Sequence, residues 1–361
     1  MRIYHMIKHG IAAALAAAIL LPLAACSPQA QPPGPEPERT RYEATFLTLF
    51  DTVTTIVGYA QEKEAFAEQA QFIHDELEVY HQLYDIYNDY PGVNNIKTIN
   101  EQAGAAPVVV DRRIIDLLLE AREMYDLTGG KVNVAFGSVL SIWHTYREAG
   151  IDDPAGARLP PMDALREAAR HTGIGGVVID EAASTVYLSD PEMSLDVGAI
   201  AKGYATQQVC AAARERGITS LLVSVGGNVC AIGSQDGRGA PWKVGVQDPV
   251  DRESGQYLQV LGLVDETLVT SGSYQRYYTV DGQTYHHIID PDTLMPADYF
   301  TAVTVRSTDS GVADALSTAL FNLPYEEGKA LVDAMEDTEA MWVLRDGTQR
   351  FTDGFLTGGR P

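Results

Sequence analysis

Turn-punctuated β runs crowd the second half of this chain and helical spacing dominates the first, an ordering that narrows the possible folds more than any other feature. Glu62 to Tyr87 carries apolar side chains at helical intervals through Phe66, Ile73, Leu77, Tyr80 and Tyr84. Asp111 is placed to cap a second helix through Ile114, Leu118 and Met124, which Gly129-Gly130 stops. Val139 to Arg147 and Met162 to Thr172 also read as helix, Thr45 to Gly58 as one strand, and Asn94 to Ile99 as a turn. The later half gives short strands at Val177 to Ile179, Thr185 to Leu188, the approach to Asp196, Ser220 to Val225, Trp242 to Val246, Tyr257 to Val264, Leu268 to Thr270 and Thr301 to Arg306. Gly226-Gly227-Asn228 closes one of these, and Asp281-Gly282 turns a hairpin over Tyr277 to Ile289. Asp346-Gly347 marks a last hairpin. Helices early and strands late, with helices between, predict an α+β fold of mixed or antiparallel sheets with flanking helices.

The ends and the charge bound the function. Arg2 and Lys8 precede a short apolar run, Ile11 to Leu23, which ends in Leu23-Ala24-Ala25-Cys26. This is too short for a comfortable membrane span and reads as a secretory leader. A Cys directly after the small residues resembles the lipobox of bacterial lipoproteins. Residues 1–25 are therefore expected to be a signal peptide, Cys26 the lipidation site, and 26–42, with its prolines, an extended tether. The folded domain is expected over 43–357, lipid-anchored and facing the periplasm or the cell exterior. A formal net charge of −23 argues against nucleic acid as a partner. Cys210 and Cys230 sit in apolar surroundings; buried thiols are the default, and a disulfide between them stays open.

Two distant segments offer chemistry. Gly311 to Leu320 reads as the opening of a helix, on which Asp314 and Thr318 share a face and Ser317 lies beside them. One carboxylate and two hydroxyls suit a hard cation such as Mg²⁺. Upstream, Ser194 to Ala205 reads as a strand end followed by a helix from about Ala199. Asp196 and Lys202 bracket that junction, a pairing suited to a phosphate-bearing ligand. Taken singly, each has a plainer reading: a capping Asp, or a solvated helix face. The Gly-Gly turn, the Thr270 to Arg276 loop and Tyr285-His286-His287-Ile288-Ile289-Asp290-Pro291 add polar pieces at further element ends.

Together these stretches resemble the ApbE family, the FAD:protein FMN transferases. The matching motifs are SLDVGAIAKGYA at 194–205, SVGGN at 224–228, TSGSYQR at 270–276, YHHIIDPDTLMP at 285–296 and ADALST at 313–318. The resemblance implies one large ApbE-like (T-fold-related) domain. It implies Mg²⁺ on Asp314, Ser317, Thr318 and the Ala199 carbonyl, FAD against Asp196, Lys202 and the backbone of Ile289, and His287 as general base. It further implies flavin contacts from Phe50 and Tyr87 and an adenine side lined by Lys131, Val132 and Asn133. Phe50 stands where the family often has Met, and Asn133 where it commonly has Asp. The implied reaction moves FMN from FAD to a Thr or Ser hydroxyl of an acceptor protein in a membrane or exported redox system, releasing AMP. The alternatives are hydrolysis of FAD to FMN and AMP at the same site, and a solute-binding lipoprotein without chemistry.

Overall fold

Every β-pairing in the large sheet is antiparallel, as hairpin-rich sequence predicts. The computed structural model describes residues 39–251 and 255–357 of the 361-residue chain, so the expected leader, Cys26 and most of the expected tether lie outside the described residues. In chain order the elements are β1 (Thr40–Leu49), β2 (Thr52–Ala60), α1 (Lys63–Tyr84), α2 (Ile96–Glu101), β3 (Val108–Val109), α3 (Arg112–Leu127), α4 (Gly137–Asp152) and α5 (Met162–Ala168). There follow β4 (Val177–Asp180), β5 (Thr185–Leu188), α6 (Ala201–Glu215), β6 (Ser220–Val225), β7 (Asn228–Gly233), β8 (Trp242–Gln247), β9 (Tyr257–Leu263) and β10 (Thr267–Gly272). The last are β11 (Tyr277–Val280), β12 (Gln283–His286), β13 (Phe300–Ser307), α7 (Ser310–Phe321), α8 (Tyr325–Asp333), β14 (Thr338–Leu344) and β15 (Gln349–Phe351). Among the described residues no helix is long and apolar enough to cross a membrane.

Eight strands form one sheet in the order β1-β2-β6-β7-β10-β13-β14-β15. Alternation sorts its side chains. On β13, Val303 and Val305 face a core shared with Ala313, Leu316, Leu320 and Phe321 of α7, while Ala302 faces a second core under the β8–β9 hairpin with Trp242, Leu261 and Phe355. The largest core joins α1, α3 and α6 to the same sheet through Ile73, Leu77, Ile114, Leu118, Val209 and Val223. Helix α7 is thus buried on nearly every side, and Asp309 caps its start by accepting from the backbone N–H groups of Gly311 and Val312 at 2.8 and 3.0 Å.

Several expectations need correcting. The stretch read as one strand over Thr45 to Gly58 is two, β1 and β2, joined by Phe50-Asp51. Both turn residues adopt positive φ, 54° and 49°, the left-handed geometry that a two-residue hairpin demands. Asn94 to Ile99 is mostly helix, because Asn95 and Thr98 form a reciprocal capping box at the start of α2. No strand runs up to Asp196. Ser194 makes only an isolated bridge to Phe136. The Leu195 backbone is instead clamped by the Asn100 side chain, which donates to its carbonyl at 2.9 Å and accepts from its N–H at 2.7 Å. The following helix starts at Ala201. The Asp281-Gly282 and Asp346-Gly347 hairpins form as read, although the former ends at His286. Cys210 and Cys230 are both buried and unbridged.

Candidate functional site

One cleft of about 480 Å³ collects nearly every residue singled out in the sequence. Phe50, Tyr87, Lys131, Val132, Asn133, Asp196, Ala199, Lys202, His287, Ile289, Asp314 and Thr318 all line it. Ser317 is the exception. It points into the protein, where its hydroxyl donates to the Asp314 carbonyl at 2.8 Å and pairs with the Ser271 hydroxyl at 2.7 Å. A helix turns by about 100° per residue, so Ser317 lies off the face that Asp314 and Thr318 share. Ser271 itself reaches the cleft.

The two distant motifs meet where α6 crosses α7. Gly203 makes this possible: a Cβ there would lie 2.1 Å from the Ser310 carbonyl oxygen and 2.3 Å from Asp314 Cβ. At that contact the Gly203 N–H donates to Asp314 Oδ2 at 2.8 Å, and Lys202 Nζ stands 3.7 Å from the same oxygen. Burial pushes the Asp314 carboxyl above its ordinary pKa, and Lys202 and the Gly203 N–H oppose that push. Asp196 is likewise raised by burial, against the bond its Oδ1 accepts from the Gly198 N–H at 2.8 Å. A second close approach positions it. Gly137 N–H donates to the Ser194 carbonyl and Asp196 N–H to the Val134 carbonyl, stitching the 133–137 loop to the 194–196 segment.

His287 hangs at the end of the β11–β12 hairpin. Its Nδ1 is 3.2 Å from the Arg276 carbonyl, which can only accept, so the proton sits on Nδ1 and Nε2 keeps its lone pair. Burial first, then the cations Arg276 and Arg147, push its pKa down to about 3, and the imidazole is neutral. On the far side, Lys131 is engaged by two carboxylates, Asp290 and Asp292, each at 2.7 Å. That ion pair ties the 131–133 loop to the Ile289-Asp290-Pro291 segment. Asn133 uses its side chain on the Thr172 carbonyl and the Ala135 N–H, so the face it turns to the cleft is mainly backbone. Phe50, at the tip of the β1–β2 hairpin, is held by a bond from its N–H to His81 Nδ1 at 3.3 Å and by edge contact with that ring.

Several residues that the sequence does not single out also form this wall. Arg147 and His144 on α4 carry no signal beyond ordinary helical spacing, and Asn100 reads as part of no site. Arg276 lies within a conspicuous motif that by itself assigns it no role.

A cleft of this size, lined by a buried carboxylate, a hydroxyl, a neutral imidazole and several cations inside an acidic protein, belongs to an α+β protein whose site has the chemistry to receive a polyanion. A sequence model of the ApbE family matches residues 50–342, and the chain belongs to that family. It is 36% identical over 278 residues to the FAD:protein FMN transferase of Treponema pallidum (strain Nichols), covering 72% of this chain and 74% of the other. With the FAD:protein FMN transferase of Escherichia coli (strain K12) it shares 27% identity, covering 91% of this chain and 90% of the other. The crystal structure of the ApbE protein of Thermotoga maritima superposes with a TM-score of 0.77 at 28% identity, over 89% of this chain and all of that one. The flavin transferase ApbE of Vibrio cholerae, at 22% identity and a TM-score of 0.70 over 88% of this chain and 98% of that one, supports the fold alone.

Proposed function

We propose that this protein is an FAD:protein FMN transferase, moving FMN from FAD to a Thr or Ser hydroxyl of an acceptor protein with release of AMP. The observation that carries the reading is the meeting of α6 and α7 at Gly203, which sets Asp314 and Lys202 in one cleft with a neutral, Nε2-free His287.

The donors fit a hard divalent cation. Asp314 is a buried carboxylate with one oxygen committed to Gly203, Thr318 offers a hydroxyl one turn on, and Ala199 lines the same cleft. In this proposal Asp314, Thr318 and the Ala199 carbonyl hold Mg²⁺, while Ser317, engaged by Ser271, keeps Asp314 and its helix turn in place. Bound there, the ion supplies positive charge and Lewis acidity to the diphosphate. Lys202 adds a second positive charge beside the same oxygens. His287 Nε2 takes the proton of the incoming hydroxyl as its oxygen bonds to the flavin-side phosphorus and the bond to the AMP oxygen breaks. The Arg276 carbonyl holds the tautomer that this step needs. Burial lowers the His287 pKa first, and the charges of Arg276, Arg147 and Lys202 add to it. A diphosphate against those cations would offset their push and strengthen the base.

Phe50 and Tyr87 form the flavin wall in this reading, and the backbone of 131–133 the adenine side. The leader and lipidation at Cys26 belong to the same proposal, placing the enzyme at a membrane surface outside the cytoplasm, beside exported or membrane-bound redox acceptors.

The test incubates purified protein with FAD, Mg²⁺ and candidate acceptor domains, then reads covalent flavin by in-gel fluorescence. A fluorescent acceptor band supports transfer, and free FMN without a band indicates hydrolysis instead. His287→Ala should bind FAD yet lose the band; a band of wild-type intensity would remove His287 from the mechanism.

A further inference from the structure

Two guanidinium groups in the cleft form no ion pair among the described residues. Arg147 projects from α4, and Arg276 ends the loop between β10 and β11; both line the cavity. Among the described residues neither is ion-paired: Arg147 Nη2 bonds to His144 Nδ1 at 2.7 Å, and Arg276 Nη2 donates to the Asp51 carbonyl at 3.4 Å. This is notable in a chain of net charge −23, where carboxylates are plentiful. The other cations of the cleft differ, since Lys131 is neutralised by Asp290 and Asp292 and Lys202 lies beside Asp314.

The arginines are also held in place. Arg147 Nη2 can only donate, so His144 Nδ1 accepts from it at 2.7 Å, while Glu148 Oε1 lies 2.9 Å from His144 Nε2. The His144 ring thereby holds one end of the Arg147 guanidinium. His144 in turn stacks on Tyr87, with ring centroids 5.3 Å apart. Arg276 is fixed at both ends, its carbonyl by His287 and its side chain by the Phe50-Asp51 turn. Burial and then the nearby Arg276 charge push the Arg147 pKa down, outweighing the opposing pull of Glu148 and Asp196, as expected where two like charges share a partly desolvated space. Such a pair costs free energy until an anion enters.

We propose that Arg147 and Arg276 form a phosphate clamp at the flavin end of the cleft, gripping the phosphoryl group that is transferred, separately from the Asp314–Lys202 side. The inference rests on the flavin-transfer reading above. The position follows from the neighbours: Arg147 is tied to the ring stacked on Tyr87, and Arg276 to the turn that carries Phe50. Fork-shaped donors match phosphate oxygens better than an ammonium does. The clamp would keep hold of the FMN half while AMP departs, and would take up charge developing on that phosphoryl group.

Equilibrium binding of FMN and riboflavin, followed by flavin fluorescence in EDTA, tests the clamp without a metal contribution. The two ligands differ by one phosphate. Wild-type protein is expected to prefer FMN by at least about tenfold, and R147Q and R276Q should each reduce that preference by about tenfold while riboflavin affinity stays within about twofold. R147K and R276K, which keep the charge and lose the fork, should retain part of the preference and guard against a folding artefact. Equal binding of FMN and riboflavin by the wild type, or a preference unchanged in both glutamine variants, overturns the clamp. If FAD is still bound and turned over in that case, the transferase reading survives and only the clamp is lost. If wild-type protein binds no flavin at all, with or without Mg²⁺, both fall together.

Discussion

At the scale of single residues, His287 and Asp314 make opposite demands on pH and on charge. His287 is held neutral, its pKa pushed down to about 3, against about 6.5 in an unfolded chain. The folded state therefore binds this proton less readily than the unfolded state does. Its contribution to stability is complete above about pH 6.5 and is lost as pH falls toward about 3. His287→Gln should remove that part of the acid sensitivity, so the stability gap between wild type and variant, read from urea midpoints, should narrow or reverse between about pH 6.5 and 4. Parallel curves would mean that His287 titrates normally. Asp314 combines a structural bond with a charge, and two substitutions separate them. Asp314→Asn keeps an oxygen to accept from the Gly203 N–H and should fold nearly normally, yet lose at least about a hundredfold in Mg²⁺-dependent turnover. Asp314→Ala leaves that buried N–H unpaired and should cost a further 1–3 kcal/mol or so in stability. If the Asp314→Asn variant turned over FAD normally, the carboxylate would have no part in holding the ion.

Among the elements, the α6–α7 crossing bears most directly on the site. Gly203 has no room for a side chain, with backbone oxygen and Asp314 Cβ both inside any normal contact distance. Gly203→Ala should destabilise the fold by about 1–3 kcal/mol through overpacking and should also separate Asp314 from Lys202. Denaturant titration and FAD binding should both respond; a variant with wild-type stability and affinity would show that the helices separate at no cost. This crossing also marks where sequence reading stops. The Asp111-capped helix and the Asp281-Gly282 hairpin are legible because caps and Asx-Gly turns write themselves into a few adjacent residues. The Phe50-Asp51 turn is not, since an aromatic at positive φ is the last residue a turn rule selects. A residue so placed is often tolerated for function, and Phe50 lines the cleft. The α2 helix escapes because its apolar content is too short to show periodicity, though its Asn95–Thr98 box is there to find. Arg147 is invisible for another reason: nothing along α4 hints that Arg276, far along the chain, ends up in the same cavity wall.

For the molecule as a whole, the notable fact is how widely the site is distributed. Phe50, Tyr87, Lys131, Asp196, His287 and Asp314 come from almost the full length of the folded region, yet line one cleft. The large sheet is assembled in the same way: β2 pairs with β6 and β7 with β10, so strands distant in sequence are neighbours. No local part of the chain can form the cleft by itself, and a ligand that needs the whole cleft binds only the fully folded state. FAD with Mg²⁺ should therefore raise the stability of the entire unit through mass action, by about 2.7 kcal/mol at a hundredfold excess over Kd. For a domain of this size, typical unfolding entropies convert that to an increase of about 4 °C in Tm. Scanning calorimetry should show one transition moving upward as a unit, and Asp314→Asn should lose most of the shift that depends on Mg²⁺. A ligand that moved only one of two resolved transitions would show that part of the chain builds the binding site without the rest, against the distribution of residues around this cleft.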